Sequence, residues 1–421
     1  MRLKFCLLFV LALASSGIFV EGADSQQIAY APEEATLIKL IAEMYGEYDQ
    51  FWTEVERISE AEQQSAYMHE HDPAKTYVPK LLDFEQRHEG SFVGLMALRK
   101  LIHLGGAYGD LESPAAQGRR DAVNRLSRYA GFEELPEILR YLDGSGSEPQ
   151  TARYLRKLAE DGNATPRNRE FAKLMLARCM LDMRDGREHA ERRLEKIIEG
   201  DALAYPTERD QLTARLERLP DDLTLRAWQA EAGQILQALL VSGREYRQPA
   251  VQNVDPKYYL VKFDPERTKT MPRITEIAEG LLFKEGHLRM GKPAPDLDVR
   301  LLSGENWSLA KQRGKVVVIQ FSFAGCGPCE EMYPGLRELQ KSPDVATLGI
   351  MADEQRSMTE RAVTEGKLTW NIHWDGWRGP IATRWAVIAF PTVYVIDRRG
   401  NIAGIDLREP ELTKQVEELL R

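Results

Sequence analysis

Two cysteines separated by two residues carry the clearest chemical signal in the sequence. Cys326 and Cys329 enclose a Gly-Pro pair, directly after the apolar run 316–323 and before a stretch with helical periodicity. At a helix N-terminus, free N–H groups and the helix dipole stabilise a thiolate and lower a cysteine pKa from about 8.5 to roughly 3.5–7.5. The sequence therefore predicts that Cys326 attacks a disulfide and that Cys329, one turn further on, resolves the mixed disulfide.

A structural disulfide and half of a zinc site are the alternative interpretations of this cysteine pair. A structural zinc ion needs four ligands. Beyond the pair the sequence offers only Cys6, Cys179 and seven scattered histidines, with no second Cys-x-x-Cys and no His-Glu-x-x-His. We therefore favour a redox pair and predict neither a metal nor a cofactor. Cys179 belongs to a helical stretch and is interpreted as a small buried residue.

The C-terminal part of the chain has the pattern needed to hold such a pair at the end of a strand. From residue 291 onwards, short β-type runs alternate with helical stretches, which predicts an α/β domain whose sheet has parallel strands. The predicted strands are 316–323, 346–351, 392–396 and a hairpin strand at 402–407, and a helix at 410–420 closes the chain.

Several motifs in this region resemble a known group of proteins. The order of strand, Cys-Gly-Pro-Cys and helix, followed by Phe-Pro-Thr at 390–392 and Asp-Arg-Arg-Gly-Asn at 397–401, is similar to the thioredoxin superfamily. The opening Gly-Lys-Pro-Ala-Pro-Asp at 291–296 and the Gly-Lys-Val-Val at 314–317 resemble its exported TlpA/ResA-like (redoxin) branch of thiol-disulfide oxidoreductases. The resemblance covers residues 291–421 and says nothing about the region before them.

The resemblance implies a thioredoxin-like fold and assigns roles to four residues. Cys326 matches the nucleophilic cysteine and Cys329 the resolving one, so that the two form a redox-active disulfide. Pro391 matches the cis-proline that faces the cysteine pair and contacts the substrate, with Phe390 before it. The implied partners are a protein or small-molecule disulfide substrate and an upstream electron donor.

The sequence departs from the family pattern at three positions around the cysteines. Gly325 stands where the family usually has tryptophan, so that a substrate-facing aromatic residue is missing. Gln320 replaces a buried Asp or Asn, and a neutral amide cannot take the proton of the resolving thiol. Met332 replaces a common glutamate. Deprotonation of the resolving thiol is therefore expected to rely on Glu330, Glu331 or water, although both carboxylates are also typical of a solvated helix face.

A tryptophan-rich segment precedes the predicted cis-proline. Its indoles either form a substrate groove near Pro391 or pack in the core and loops, and packing is the simpler interpretation. The four tryptophans are Trp370, Trp374, Trp377 and Trp385.

The region from residue 23 to residue 243 has the periodicity of helices. Apolar residues recur every three or four positions, most clearly on a long helix that starts near Pro32, and turns are predicted at 143–146 and at Asp185-Gly186. Residues 153–160 resemble residues 192–199 at an offset of 39, which leaves open a solenoid-like stack of helical hairpins or a chance match. Residues 244–290 are predicted to be a proline-rich linker with a short helix at 274–283.

The first 22 residues have the pattern of a secretory signal. Arg2 and Lys4 precede an apolar run at 5–14, and Val-Glu-Gly at 20–22 provides a cleavage context. An uncleaved membrane anchor is the alternative, although the run is shorter than the roughly 20 residues of a membrane span. The mature protein is thus predicted to be exported to the periplasm or cell envelope.

The composition of the 421-residue chain narrows the functions to consider. With 43% hydrophobic and 29% charged residues, it is typical of a folded protein rather than a disordered one. A net charge of −9 argues against nucleic acid as a partner. Residues 23–290 hold 37 basic and 46 acidic side chains, against 17 and 18 in residues 291–421. The acidic helical domain is therefore a candidate to bind a protein partner.

We interpret the chain as an exported disulfide reductase that combines an α-helical N-terminal domain with an α/β thioredoxin-like C-terminal domain. The expected divisions are a signal at 1–22, helices at 23–243, a linker at 244–290 and the thioredoxin-like domain at 291–421. One alternative is a scaffold or binding protein whose thioredoxin-like domain is vestigial. Another is a thiol peroxidase, which is disfavoured because peroxiredoxins have Thr or Ser three residues before the attacking cysteine, where this chain has Phe323.

Overall fold

A computed structural model describes residues 30–106, 112–142, 148–200, 208–255, 257 and 259–421. These residues form two compact units, one that ends at Ile274 and one that spans Thr275–Arg421. The predicted signal at 1–22 and the predicted turn at 143–146 lie outside the described residues. The domain divisions expected from the sequence stay a prediction.

The first unit is mainly helical, which confirms the fold class predicted for this region. Short 3-10 turns at Leu126–Tyr129 and Arg140–Leu142 extend two of its helices. Its helices and strands, in chain order, are α1 (Pro32–Arg57), α2 (Ala61–His71), α3 (Ala74–Arg87), α4 (Phe92–Gly106), α5 (Pro114–Arg125), α6 (Leu135–Leu139), α7 (Pro149–Glu160), α8 (Pro166–Ile198), α9 (Glu208–Arg218), α10 (Asp222–Ser242), β1 (Ala250–Asn253), β2 (Val261–Asp264) and α11 (Pro265–Thr268).

Side chains at the helix starts explain several of these boundaries. The side chains of Ser113, Thr165 and Asp221 each accept a hydrogen bond from a backbone N–H three residues further on. Such caps satisfy N–H groups that have no partner inside the helix. Once started, α1 buries the predicted apolar stripe, from Leu37 to Val55, on one side.

The predicted turn at Asp185-Gly186 is wrong, because α8 continues through it as a single helix of 33 residues. A glycine inside a helix costs only about 1 kcal/mol, and tertiary packing on both sides of this position outweighs that cost. At Gly186 an added Cβ would lie 2.8 Å from the guanidinium of Arg215 on α9. Residues 153–160 lie in α7 and residues 192–199 span the end of α8, so the two similar segments occupy different structural contexts.

The predicted linker at 244–290 contains more structure than the sequence indicates. Strands β1 and β2 pair in antiparallel fashion, from Ala250 opposite Asp264 to Asn253 opposite Val261. The turn between them is organised by the buried carboxylate of Asp255, which accepts hydrogen bonds from the backbone N–H groups of Lys257, Tyr259 and Leu260. Four prolines in this region interrupt the alternation of apolar and polar residues that would otherwise predict the short strands.

Lys100 on α4 is a buried ionisable group of the first unit. Lys100 is 4% exposed, and its Nζ donates a hydrogen bond to the hydroxyl of Tyr45 at 2.9 Å. The same Nζ lies 4.8 Å from the ring centre of Tyr45 and 5.5 Å from that of Tyr259. Burial lowers the pKa of Lys100 to about 7, with Arg99 adding to the shift and Asp255 opposing it.

This lysine makes the stability of the helical unit depend on pH. Between pH 7 and 10.5 the unfolded chain holds a proton on Lys100 that the folded chain lacks, so the free energy of unfolding rises with pH by up to about 1.4 kcal/mol per unit. We expect Lys100→Met to remove this rise and to stabilise the unit most at pH 7 and below. Urea unfolding of both full-length proteins at several pH values measures the difference.

The matched control for this prediction is the exposed Lys39, whose side chain is 79% accessible. Lys39→Met is expected to leave the pH dependence as it is in the unaltered protein. The prediction would be wrong if the free energies of unfolding of Lys100→Met and the unaltered protein changed equally between pH 7 and 10. That result would mean that Lys100 stays protonated in the folded state.

The second unit contains a five-stranded sheet with the order β7-β6-β5-β8-β9, together with a separate β3-β4 hairpin. A 3-10 turn at Ala310–Gln312 precedes β5. The helices and strands are α12 (Ile274–His287), β3 (Asp298–Arg300), β4 (Asn306–Ser308), β5 (Val316–Ser322), α13 (Gly327–Glu330), α14 (Tyr333–Leu339), β6 (Val345–Met351), α15 (Arg356–Thr364), β7 (Asn371–Trp374), α16 (Pro380–Arg384), β8 (Thr392–Ile396), β9 (Ile402–Ile405) and α17 (Glu411–Leu420).

The sheet is mixed, whereas the sequence predicted parallel strands. Strands β5, β6 and β7 are parallel, but β8 is antiparallel to β5, with Thr392 opposite Phe321 and Ile396 opposite Val317. The reason lies in the connection from β7 to β8, which includes only the five-residue helix α16. Because β7 ends at the edge of the sheet where β8 begins, the chain does not recross the sheet before β8.

Both faces of the sheet are covered, which explains why β5 is mostly apolar and buried along its whole length. Val317, Ile319 and Phe321 contribute to one apolar cluster, and Val316 and Val318 contribute to the cluster on the other face. The second cluster also contains both cysteines of the Cys-x-x-Cys motif. The core of the unit therefore continues directly into the candidate site.

Candidate active site

The cysteine pair lies in the segment that leaves the end of β5. Cys326 immediately precedes α13 and Cys329 lies within that helix, and the two are joined by a disulfide with Cα atoms 5.2 Å apart. Cys326 is 4% exposed and Cys329 is 0% exposed. The backbone N–H of Cys329 donates to the carbonyl of Cys326 at 3.0 Å. Strand, turn and short helix thus hold the two sulfur atoms together.

The helical segment that follows the motif is not continuous. It is divided into α13, of four residues, and α14, which begins at Tyr333. Pro334 explains the break, because a proline nitrogen cannot donate a hydrogen bond to the carbonyl of Glu330 four residues earlier. The stabilisation that a helix dipole gives to a Cys326 thiolate therefore comes mainly from a short helix.

The loop before Cys326 has a conformation that explains the missing tryptophan. Gly325 has a φ of +84°, in the left-handed region, where a residue with a side chain is disfavoured by about 1–2 kcal/mol. Its N–H donates to Oε1 of Glu330 at 3.1 Å. The loop is also tied to β6, since the N–H of Ala324 donates to Oδ1 of Asp353 at 2.9 Å.

Asp353 is a positioning residue that the sequence analysis missed. It follows the carboxyl end of β6, is 3% exposed, and also accepts a hydrogen bond from the hydroxyl of Thr359. Its backbone carbonyl accepts a hydrogen bond from the indole N–H of Trp374 at 2.9 Å. An aspartate directly after a buried strand was the available signal, because polar groups at the carboxyl ends of neighbouring parallel strands share one edge of the sheet.

Gln320 is fully buried on β5 beside Cys329. Its Nε2 lies 3.5 Å from the carbonyl oxygen of Cys329 and 3.7 Å from the sulfur of Met332. Its Oε1 is buried without a hydrogen-bond partner among the described residues. The side chain is thus a neutral dipole next to Cys329. Of the two carboxylates, Glu330 contacts the loop before the motif and Glu331 is exposed.

Phe390 and Pro391 directly precede β8, whose first residue, Thr392, lies opposite Phe321 near the end of β5. The peptide bond between them is cis, as the resemblance implied, and Phe390 packs against the apolar cluster that contains both cysteines. Arg408 fixes this segment by donating from its guanidinium to the carbonyl of Pro391 at 2.6 Å. Burial lowers the pKa of Arg408. This arginine could not be predicted from the sequence, because its contact depends on the hairpin formed by β8 and β9.

The four tryptophans of the segment before Pro391 have different surroundings. Trp370 and Trp385 are buried, and the indole of Trp374 is held by Asp353. Trp377 is 41% exposed. Packing therefore accounts for three of them. The exposed indole of Trp377 contacts the ring of Phe390, with centroids 6.2 Å apart.

Other features of the described residues lie away from this site. Cys179 is fully buried on α8 of the first unit. Among the helices that the structure describes, none is both long and apolar enough to cross a membrane. The same residues contain no group of three or more His, Cys, Asp or Glu side chains that could hold a metal ion.

A Cys-Gly-Pro-Cys disulfide after a central strand, together with a cis-proline directly before the antiparallel strand paired with it, defines a thioredoxin-like domain. Residues 290–405 match the AhpC/TSA family. The thioredoxin-like protein YneN of Bacillus subtilis is 32% identical over 127 residues, which cover 29% of this chain and 74% of that protein. The thiol-disulfide oxidoreductase ResA of Bacillus thuringiensis subsp. konkukian is 30% identical over 146 residues, covering 34% of this chain and 83% of ResA.

Through this domain the chain belongs to the TlpA/ResA-like thiol-disulfide oxidoreductases of the thioredoxin superfamily, and it is a thiol-disulfide oxidoreductase. Among solved structures, the thioredoxin domain of a thiol-disulfide oxidoreductase from Bacteroides vulgatus is 26% identical. It matches 32% of this chain and 99% of its own, with a TM-score of 0.30.

Proposed function

We propose that the protein is an exported disulfide reductase in which Cys326 and Cys329 cycle between disulfide and dithiol. The observation that carries the proposal is the disulfide between these residues, which follows the end of β5 and belongs to the apolar cluster against which Phe390 packs. Export is supported by the signal pattern at 1–22. In such a compartment a disulfide is sustainable, so reduction needs an upstream dithiol donor.

The reaction proceeds in two exchange steps. The thiolate of Cys326 attacks one sulfur of a substrate disulfide, which forms a mixed disulfide and releases the first substrate thiolate. The thiolate of Cys329 then attacks Sγ of Cys326, which releases the second substrate thiolate and forms the Cys326–Cys329 disulfide. The substrate gains two electrons and the enzyme loses two, which the donor dithiol later returns.

The proton of Cys329 must leave before the second step. Gln320, its buried neighbour on β5, carries an amide that does not titrate. We propose that Glu330, Glu331 or water accepts the proton that leaves Cys329. Because a neutral amide replaces a buried base, resolution of the mixed disulfide is expected to be the slower of the two steps at neutral pH.

The direction of electron flow can be measured as a reduction potential. The Gly-Pro pair between the cysteines is shared with thioredoxin, whose potential is about −270 mV, whereas strong oxidants lie near −120 mV. We expect the potential of the full-length protein, titrated against a glutathione or dithiothreitol couple, to lie close to the first value. A potential close to the second value would instead identify a disulfide-forming oxidant.

The remaining assignments concern substrates and partners. The substrates are protein or small-molecule disulfides. The acidic excess of residues 23–290 supports a role of the helical unit in binding a protein partner. A peroxidase is disfavoured because Phe323 offers no hydroxyl near Cys326; its ring packs edge-on against Phe390 at 5.4 Å.

A further inference from the structure

We infer that Trp377 is the substrate-facing aromatic residue of this enzyme and selects protein disulfides that are flanked by apolar side chains. The inference rests on the proposed reductase function and adds a substrate class to it. Two features on different loops support it: the backbone conformation of Gly325 and the position of the Trp377 indole.

The motif loop cannot readily present an aromatic side chain. Gly325 directly precedes Cys326 and has a φ of +84°, which disfavours residues with a side chain. A Cβ added there would meet no atom within 4 Å, so no neighbouring side chain fills that space within the described part of the chain. An aromatic side chain beside Cys326 therefore has to come from another segment.

The loop after β7 supplies such a contact. Trp377 is 41% exposed, and its ring lies 6.2 Å from that of Phe390, which in turn lies 5.4 Å from that of Phe323. We call Phe323, Phe390 and Trp377 the apolar surface. Its inner end, at Phe390, packs against the cluster that contains the two cysteines.

The loop that carries Trp377 is firmly held. The carboxylate of Asp375, 1% exposed, accepts hydrogen bonds from the backbone N–H groups of Ile381 at 3.2 Å and Ala382 at 2.8 Å. At Gly379 an added Cβ would lie 2.0 Å from the carbonyl of Asp375, so only glycine fits this close turn. An indole presented by such a loop loses little conformational freedom on binding.

The occupant of the apolar surface follows from the chemistry of the neighbouring disulfide. A substrate sulfur has to reach Sγ of Cys326. Phe390 packs against the cluster that contains this cysteine and contacts Trp377, so it connects the two positions. A protein segment can place an apolar side chain against the exposed indole, whereas a small polar disulfide has none to offer. Trp377 therefore favours the protein substrate through its binding to the enzyme rather than through the exchange chemistry.

The test compares two disulfides in full-length protein with dithiothreitol as the electron donor. Insulin provides a protein disulfide and hydroxyethyl disulfide a small polar one. For Trp377→Ala we expect the ratio of kcat/KM for insulin to kcat/KM for hydroxyethyl disulfide to fall about tenfold, mainly through a higher KM for insulin. Trp377→Phe should restore most of the ratio, because it retains an aromatic ring.

A matched control is Val363→Ala, which removes a side chain of similar exposure, 38%, from α15 of the same unit. This variant should keep the ratio of the unaltered protein. An unchanged ratio in Trp377→Ala, or an equal loss with both disulfides, would overturn the role of Trp377 alone. Failure of the unaltered protein to reduce either disulfide would overturn the proposed function together with this inference.

Discussion

Cys326→Ser is expected to abolish disulfide exchange, with a loss of at least about a thousandfold in kcat/KM. Cys326 precedes α13 and is the cysteine nearer the exposed Gly325, while Cys329 is fully buried beside Gln320. The remaining thiol of Cys329 is a poor nucleophile because burial disfavours its thiolate. Reduction of hydroxyethyl disulfide by the full-length variant, with dithiothreitol as donor, measures the loss.

Cys179→Ser is the control for this variant, because Cys179 lies in the helical unit and is buried on α8. It is expected to leave the rate unchanged. Substantial activity in Cys326→Ser would assign the attack to Cys329 and reverse the two roles.

Cys329→Ser is expected to stop turnover and to accumulate a mixed disulfide between Cys326 and the substrate. The first exchange step needs only Cys326, whereas the second needs a thiolate that the serine cannot supply. Non-reducing electrophoresis and intact mass measurement after addition of an oxidised peptide should reveal one substrate thiol per protein molecule. The adduct should disappear on treatment with excess dithiothreitol.

The double variant Cys326→Ser/Cys329→Ser serves as the control, and it should form no adduct. If Cys329→Ser formed no adduct while Cys326→Ser did, the assignment of nucleophile and resolving cysteine would be contradicted. Cys179 is present in Cys329→Ser and in the double variant, so an adduct at Cys179 would be detected in both.

The cysteine motif and most of the sheet could be predicted from the sequence because their signals are local. Strand β5 is buried on both faces, and its mostly apolar sequence, rich in β-branched residues, indicates a buried strand. The motif directly after it fixes where the two sulfur atoms lie. Strand β8 was predicted with its observed bounds, Thr392–Ile396, but not its antiparallel direction. Direction depends on where β7 ends, which is a property of the whole sheet.

Residues that act through tertiary contacts were not predicted. Asp353 and Arg408 each bind backbone groups of a distant loop, through the contacts with Ala324 and Pro391. Neither contact leaves a periodic pattern in the sequence. Trp377 could be found as one member of a tryptophan-rich segment, but only its exposure and its contact with Phe390 separate it from the three packed tryptophans.

Local propensity also failed where packing was stronger. Asp185-Gly186 has the composition of a turn, yet the contacts of α8 with α9 and α10 keep the helix continuous. In the motif helix, Pro334 had the opposite effect, since it divides the segment into α13 and α14. Both cases concern a residue with a strong backbone preference, and the surrounding contacts decide whether that preference is expressed.

The most direct test of the proposed function is the stoichiometry of a single turnover by the reduced full-length protein. One equivalent of a substrate disulfide is added, and the free thiols of protein and substrate are counted by alkylation and mass measurement. The account predicts that Cys326 and Cys329 both lose their free thiols and form one disulfide, that two substrate thiols appear, and that Cys179 keeps its state. Substrate reduction without formation of the Cys326–Cys329 disulfide, or no reaction of the two thiols, would contradict it.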